Sequence, residues 1–511
     1  MALFYDGTLN NRNNIAEREK SELGAASDSY REFGGKGDNS YDNGRTNIAI
    51  MEPHVPSGEN RNGYDYSFKV YVEGQGTFNR MEDNTKGKAL GAGTSGVESR
   101  ARLGITYAWK WLSKFLEDHP SGEYFIEKID VDVFGFSRGA AAARRSIFLM
   151  KNDFGHGSLY KRIRWKGYYE TTANTIEIKF AGLYDTVVSV SGSQYSPLSY
   201  LSGNILNQRA VALATQSVQL AAADEHRRSF PLHTIKSAKD RGRGKEYYLP
   251  GAHSDVGGSY NYANDLPGVR ILKIVLVAGY FPDMHTKRDK LIKQGSFTPD
   301  ELVVEVTKRG ATAQGAPGVG MPLEGRLIEL RTLTSTEYMR TSNEENKILN
   351  NGASAKMDKD KEWLIAQGWY KAKELTTKVT GLETYGFSIG LEENLVANRK
   401  NIKSAYSNIP LKLMAKFARE NAIEINPQLE RKANHILNKE PDLVILEADI
   451  KKYIAKVGNH SKPEDWLDNG SVHCKNIKNI RHDHLHMSAQ LEIGKYPRFE
   501  DNKRVRYYYD G

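Results

Sequence analysis

Three residues of this chain have the types and the order needed for nucleophilic attack on a carbonyl. Ser137 lies in Gly135-Phe136-Ser137-Arg138-Gly139, after the apolar run Ile129-Asp130-Val131-Asp132-Val133-Phe134 and before the small-residue stretch Ala140-Ala141-Ala142-Ala143. A strand, G-x-S-x-G and a helix in that order put a serine on a sharp turn where only glycine fits on either side. The start of the helix then aims unpaired N–H groups and the positive end of its dipole at the reacting oxygen. A serine needs a base, and the base needs an acid to orient it. The alternating, β-branched segment 175–184 reads as a strand and ends in Asp185-Thr186-Val187. The short strand 246–249 runs into Pro250-Gly251-Ala252-His253-Ser254-Asp255-Val256-Gly257-Gly258. Ser137, Asp185 and His253 therefore follow one another in the order nucleophile, acid, base, each at a strand end.

Two alternatives stay open at the acid position. Asp185 could be a turn former that bonds its own backbone, and Asp255, two residues after His253, is the alternative acid. Asp185 is preferred because the acid should come from a different strand than the base. For the oxyanion, one donor is the N–H of Arg138, the residue after the nucleophile. The second should come from the polar turn after the first strand, Ala2-Leu3-Phe4-Tyr5, with the N–H of Gly7 or Thr8 as candidates. A third strand-to-glycine turn, Phe68-Lys69-Val70-Tyr71-Val72-Glu73-Gly74-Gln75-Gly76-Thr77, is expected to line the same rim. These elements predict an α/β fold of the α/β-hydrolase type, a mostly parallel central sheet flanked by helices.

The five ordered segments Asp6-Gly7-Thr8 with Asn10-Asn11, Glu73-Gly74-Gln75-Gly76-Thr77, Gly135-Phe136-Ser137-Arg138-Gly139-Ala140, Tyr184-Asp185-Thr186-Val187 and His253-Ser254-Asp255-Val256-Gly257-Gly258 carry a resemblance. They resemble the catalytic domain of the first class of type VI secretion lipase effectors, bacterial phospholipases injected into rival cells. The resemblance spans roughly residues 1–290. It implies that nucleophile, acid and base fall on Ser137, Asp185 and His253. It also implies membrane phospholipids as substrate, a secretion spike protein as carrier and a cognate immunity protein as partner.

At 511 residues the chain exceeds one ordinary domain. Residues 1–290 are read as the catalytic domain, with 11–67 a loop-rich insertion, and 291–511 as a mainly helical lid or membrane-docking module. The net charge of +9, from 72 basic against 63 acidic residues, suits an anionic membrane surface as well as an ordinary basic protein. No nucleic-acid partner is indicated. Cys474 is the only cysteine, so no intrachain disulfide forms. No signal peptide is read at the start, and another machine would have to carry the protein to envelope lipids. The apolar run 271–281 is too short to span a bilayer and reads as a core helix. Residues 359–373 and 411–422 also read as helices. In the second, packing against the hydrolase is favoured over docking on lipid through Lys412, Lys416 and Arg419.

No cofactor is required by this chemistry. His484 and His486, with His473 and Cys474 nearby, invite a zinc reading, but no firm set of further ligands accompanies them and no metal is assigned. The function expected is an A-type phospholipase working through a serine, aspartate and histidine. It would be made without a signal peptide and secreted, to act in the periplasm or envelope of a target bacterium. An esterase for small soluble esters and a serine peptidase are the alternatives of the same chemistry. An inactive hydrolase fold used as a binding module is disfavoured by the intact set of three.

Overall fold

The computed structural model describes residues 1–35, 39–61, 63–84, 93–119, 126–152, 176–188, 206–261, 269–278, 357–385, 388–399, 402–468, 470–490, 497–500 and 503–511. Six strands, β1 (Ala2–Tyr5), β2 (Lys69–Val72), β3 (Ile129–Phe136), β4 (Ile176–Tyr184), β5 (Gln216–Ala222) and β6 (Gly244–Leu249), form one sheet. Their order is β2-β1-β3-β4-β5-β6 and every pairing is parallel. The expected α/β architecture is what the chain adopts. The strand order reverses beside β1, so the carboxyl ends of β1 and β3 flank a crevice where α/β proteins bind ligands.

A parallel sheet is buried on both faces, and the carboxyl-terminal halves of the longer strands show it by being apolar and buried, as in Val133-Phe134-Gly135-Phe136 and Phe180-Ala181-Gly182-Leu183-Tyr184. Alternate side chains go to different cores. Leu3 and Tyr5 of β1 join Val70, Val72, Val131, Val133 and Leu183 beneath two helices, α2 (Val97–Glu117) and α3 (Arg138–Lys151). Phe4 turns the other way and stacks on Phe134 at 4.7 Å between ring centres. That second core is closed by α5 (Asn408–Glu420), whose Leu411, Met414 and Phe417 are buried. Between α3 and α5 in the chain comes the short α4 (His253–Gly257). Gly182 of β4 lets α5 approach, because a Cβ there would lie 2.9 Å from the Met414 sulfur.

Three sequence expectations change. Residues 11–67, expected as a loop-rich insertion, contain α1 (Arg12–Glu22), two shorter helices and the hairpin of Gly58–Arg61 with Tyr64–Ser67. Asn11 accepts hydrogen bonds from the amides of Asn13 and Asn14, so the asparagines that suggested a loop are a helix cap. The run expected as a core helix is instead the strand Val269–Ala278, antiparallel to Ser388–Ala397, which also pairs with Leu375–Tyr385. Five β-branched residues in ten favour the strand, and a short apolar run carries no period to decide otherwise.

The third change concerns residues 291–511, of which 291–356 lie outside the described residues. The rest does not stand apart as a lid. α5 forms a layer against the six-stranded sheet, and α6 (Gln428–Leu437) and α7 (Pro441–Val457) back it through Leu429, Leu437, Leu446 and Ile450. The basic residues weighed as lipid contacts are paired with carboxylates: Lys412 with Glu447, Lys416 with Glu420 and Arg419 with Glu430. Among the described residues, no helix is long and apolar enough to cross a membrane.

Candidate active site

The turn at Ser137 is tight because the packing around it leaves no room for side chains. A Cβ on Gly135 would stand 2.5 Å from the Ala140 Cα, and one on Gly139 would stand 2.2 Å from the Asp6 carbonyl oxygen. Ser137 itself takes φ 59° and ψ −130°, a conformation that an L-residue holds only when its surroundings impose it. Those surroundings are visible. Its N–H donates to the Tyr184 carbonyl at 3.1 Å, and its own carbonyl accepts from the Val187 N–H at 3.3 Å. The serine is thus fastened to the end of β4 on both sides of Asp185.

Asp185 also has a positive φ, 42°, which turns its carboxylate back over the sheet end. It meets His253 there: Nδ1 of the imidazole lies 2.5 Å from Oδ2, both groups fully enclosed. The aspartate is therefore not a mere turn former. Oδ1 accepts from the Ala222 N–H at 2.8 Å, and both oxygens accept from the Arg506 guanidinium at 2.7 Å. Burial alone would push this carboxyl up, but Arg506, together with the imidazole, holds it well below the usual carboxylate range. Burial lowers the pKa of His253 from 6.5, against the opposing pull of Asp185, so its imidazole is neutral at pH 7 and can accept a proton.

His253 is further fixed from behind. Its backbone N–H donates to Glu225 Oε2 at 3.1 Å, and its ring lies between those of Phe136 (4.5 Å) and Phe230 (5.0 Å). Gly257 makes room for Phe136, since a Cβ there would come within 2.0 Å of that ring. The phenylalanine inside the G-x-S-x-G turn therefore links the serine's strand to the histidine's helix. Asp255 is held elsewhere. Its Oδ1 binds His486 Nδ1 at 2.7 Å, and its Oδ2 accepts the N–H of His486 and of Ala252. The alternative acid thus belongs to a second aspartate–histidine pair, on which Tyr260 stacks at 3.7 Å. Among the described residues no three metal-ligating groups converge, and His486 is committed to Asp255.

The loop after β1 is built around Asp6, which accepts from Gly7 N–H (2.8 Å), Thr46 Oγ1 (2.7 Å) and Tyr71 Oη (2.5 Å). Burial raises its pKa to about 6 despite those donors. The Gly7 amide is engaged in this arrangement. Among the described residues the Thr8 amide donates to no protein acceptor, and Thr8 Oγ1 receives Arg138 Nε at 2.7 Å across the crevice. The glycine turn after β2 packs directly on this loop. Gly74 N–H donates to the Asn10 carbonyl at 2.9 Å, and a Cβ on Gly74 would collide with the Gly7 oxygen. Glu73 is tied to Arg100 at 2.6 Å.

Residues 150–276 match the family model described as T6SS, phospholipase effector Tle1-like, catalytic domain. That span includes Asp185 and His253 and begins shortly after Ser137. The chain resembles the Tle1-like phospholipase effectors. The structure of the Tle1 effector bound to the VgrG spike from the type VI secretion system is similar in fold, with a TM-score of 0.54 at 18% identity. The alignment takes in 99% of this chain and 93% of that one. A crystal structure of an uncharacterized protein from Pseudomonas aeruginosa aligns over 86% of this chain and 62% of its own, at 15% identity and a TM-score of 0.33. No curated protein matches the sequence.

Arg506, Glu225 and Arg227 are absent from the sequence reading. Glu225 is fully buried and takes Arg227 at 2.8 Å. Nothing in spacing or composition marks them, because each contributes to the site only through the fold.

Proposed function

We propose that this chain is a serine acyl hydrolase of membrane glycerophospholipids, an A-type phospholipase toxin delivered by type VI secretion. The observation that carries the reading is the buried Asp185–His253 pair standing at the sheet end where Ser137 occupies its constrained turn, in a chain similar to Tle1-like catalytic domains. Neutral His253 takes the Ser137 hydroxyl proton as the oxygen attacks the ester carbonyl. The N–H groups of Arg138 and Thr8 hold the oxyanion, with the dipole of α3 behind them. The protonated imidazole, held in one tautomer by Asp185, gives its proton to the departing lysophospholipid oxygen. Water, activated by the same imidazole, then releases the fatty acid from the acyl-enzyme. No cofactor enters any step.

By analogy with the Tle1–VgrG complex, a spike protein would carry the chain out of the producing cell, to act on the envelope of a target bacterium. An immunity protein would protect the producer. The test is purified protein against defined phospholipids, short-chain soluble esters and peptides, beside Ser137→Ala. Fatty acid should appear from phospholipid, and Ser137→Ala should lower the rate on the order of 10⁴-fold or more with its fold intact. Retention of a tenth of the activity would remove Ser137 from the nucleophile's role.

A further inference from the structure

Segment 503–511 brings one charged side chain into the site that the acyl-transfer roles leave unused. Arg506 donates from Nη1 to Asp185 Oδ1 and from Nη2 to Asp185 Oδ2, each at 2.7 Å. Nη1 also reaches the Ala222 carbonyl at 3.1 Å, and Nε the Phe230 carbonyl at 2.9 Å. The arginine side chain is 1% exposed and the aspartate 0%. With His253 Nδ1 and the Ala222 amide, these donors fill the carboxylate, so it can neither rotate nor take water. Phe230, whose carbonyl Arg506 holds, sets its ring edge-on against His253. The segment itself is docked by backbone pairing: Tyr508–Tyr509 runs parallel to Leu232–His233, with Leu232 N–H on the Tyr507 carbonyl and Thr234 N–H on the Tyr509 carbonyl, both 2.9 Å.

We infer that Arg506 is a positioning residue of the reaction: its planar fork fixes the Asp185 carboxylate against His253, and its charge offsets that of the aspartate toward the imidazole. The inference rests on the acyl-transfer reading of Ser137, Asp185 and His253. An arginine serves where a lysine would not, because two parallel N–H bonds define a plane and a single ammonium does not. The charges facing His253 are Asp185 and Glu225, countered by Arg506 and by Arg227, while Phe136 and Phe230 exclude water. Tyr248 and Tyr508 lie around the Asp185–Arg506 pair as neutral phenols. Loss of the Arg506 charge leaves two buried carboxylates against one cation, and the Asp185–His253 pair then holds a proton to higher pH. The site is complete only when segment 503–511 is seated on Leu232–His233.

A fluorophosphonate reads the site without reference to lipid. Ser137 Oγ forms a bond to phosphorus, the phosphorus–fluorine bond breaks, the hydroxyl proton passes to His253 and fluoride leaves. With the full-length chain, labelling should occur on Ser137 and not in Ser137→Ala. Arg506→Met should slow labelling about 10²-fold, as expected for a misplaced catalytic group. It should also move the acid limb of the rate–pH profile up by about one pH unit. Arg506→Lys, which keeps the charge without the fork, should slow labelling with a smaller displacement of the limb. In an Asp185→Asn background the Arg506→Met change should add little further loss. A folded Arg506→Met protein with the wild-type rate and limb overturns the inference, as does full additivity with Asp185→Asn. Should Arg506→Met fail to fold, Arg506→Lys decides alone: an unchanged rate overturns the inference. Failure of the wild-type chain to label at Ser137 would instead sink the acyl-transfer reading and this inference with it.

Discussion

Adding one methyl group at Gly139 should damage catalysis more than stability, and the geometry says by how much. The new Cβ would lie 2.2 Å from the Asp6 carbonyl oxygen and 2.4 Å from that of Tyr5. Both are backbone atoms at the end of β1, so no side chain can swing away. Ordinary contact begins near 3.4 Å, so α3 and the β1 loop must separate by about 1.2 Å, the difference between 3.4 and 2.2. Arg138 stands on one side of that gap and Thr8 on the other, and these are the proposed oxyanion donors. A shift of about 1 Å in a reacting geometry lowers rate about 10²-fold. Loss of one oxyanion donor lowers it by about 10²–10³. Overpacking of this kind destabilises by about 1–3 kcal/mol. Gly139→Ala should therefore remain folded with kcat reduced about 10²–10³-fold on a chromogenic ester, and a melting curve should show a modest loss. Gly242→Ala is the contrast: its φ is +68° and a Cβ meets nothing within 4 Å, so only conformational strain of about 1–2 kcal/mol is added and kcat should not change. Gly139→Ala with a rate within threefold of wild type would refute the packing account of the turn.

Three further outcomes follow from the same coordinates. Asp185→Asn should lower turnover by about 10²–10⁴, whereas Asp255→Asn should act on the His486 contact and on stability; the reverse ranking in folded proteins would exchange their roles. Lys412→Glu should destabilise by about 2 kcal/mol, because Lys412 and Glu447 are 12% and 10% exposed and a second acid would face Glu447, while binding to anionic vesicles should be unaffected; a vesicle-binding loss without a melting shift would restore the lipid role. Stability should fall on acidification below about pH 4. Burial pushes the Glu225 carboxyl up, but Arg227 holds it down at about 2, below its ordinary 4.5, so its contribution is full above 4.5 and vanishes as the pH falls toward 2. Asp185 acts in the same direction, and His253, favoured neutral in the fold, subtracts stability as the unfolded chain protonates below 6.5. Buried Asp6, with its pKa raised to about 6, and Asp132, raised to about 7, act the opposite way between pH 7 and about 4, so melting temperatures should decline clearly only below about 4, and a flat profile from pH 4 to pH 2 would contradict this.

What could be read from the sequence was what depends on neighbours in the chain. The Ser137 turn announces itself because strand, glycines and helix are contiguous, and the Asp6-Gly7-Thr8 and His253 loops are recognisable for the same reason. Between the adjacent amides of Gly7 and Thr8 the sequence does not choose, since only the fold reveals that Asp6 turns its own carboxylate onto the Gly7 N–H. The strand Val269–Ala278 reads as a helix because a mostly apolar run, interrupted only by Arg270 and Lys273, shows neither the 3.6 nor the 2 period. The choice between packing and membrane docking at Lys412, Lys416 and Arg419 is undecidable in sequence for a different reason. Their amphipathic pattern is genuine, but an amphipathic helix is equally suited to a lipid surface and to a sheet with acidic neighbours, and here α7 supplies Glu447, α6 supplies Glu430 and α5 itself supplies Glu420.

The remaining part of the site was out of reach in principle. Arg506 and Asp185 are 321 residues apart, and the arginine stands in Arg504-Val505-Arg506-Tyr507, which advertises no chemistry. Its necessity follows from the other end. A strand-end aspartate sealed from water by the segment that covers it cannot keep its charge with one neutral imidazole as partner, because burial alone drives a carboxyl toward the protonated state. A protonated acid would give His253 no anion to stabilise its charged form. Further donors or a cation must therefore accompany the imidazole, and here the Ala222 N–H and Arg506 supply them, the arginine from the segment that also covers the pair. The same reasoning applies at Glu225, where Arg227 is the compensating cation. Each strand-end acid is thus legible as a candidate, while its counter-charge is fixed by tertiary contact and can be found only in the folded chain.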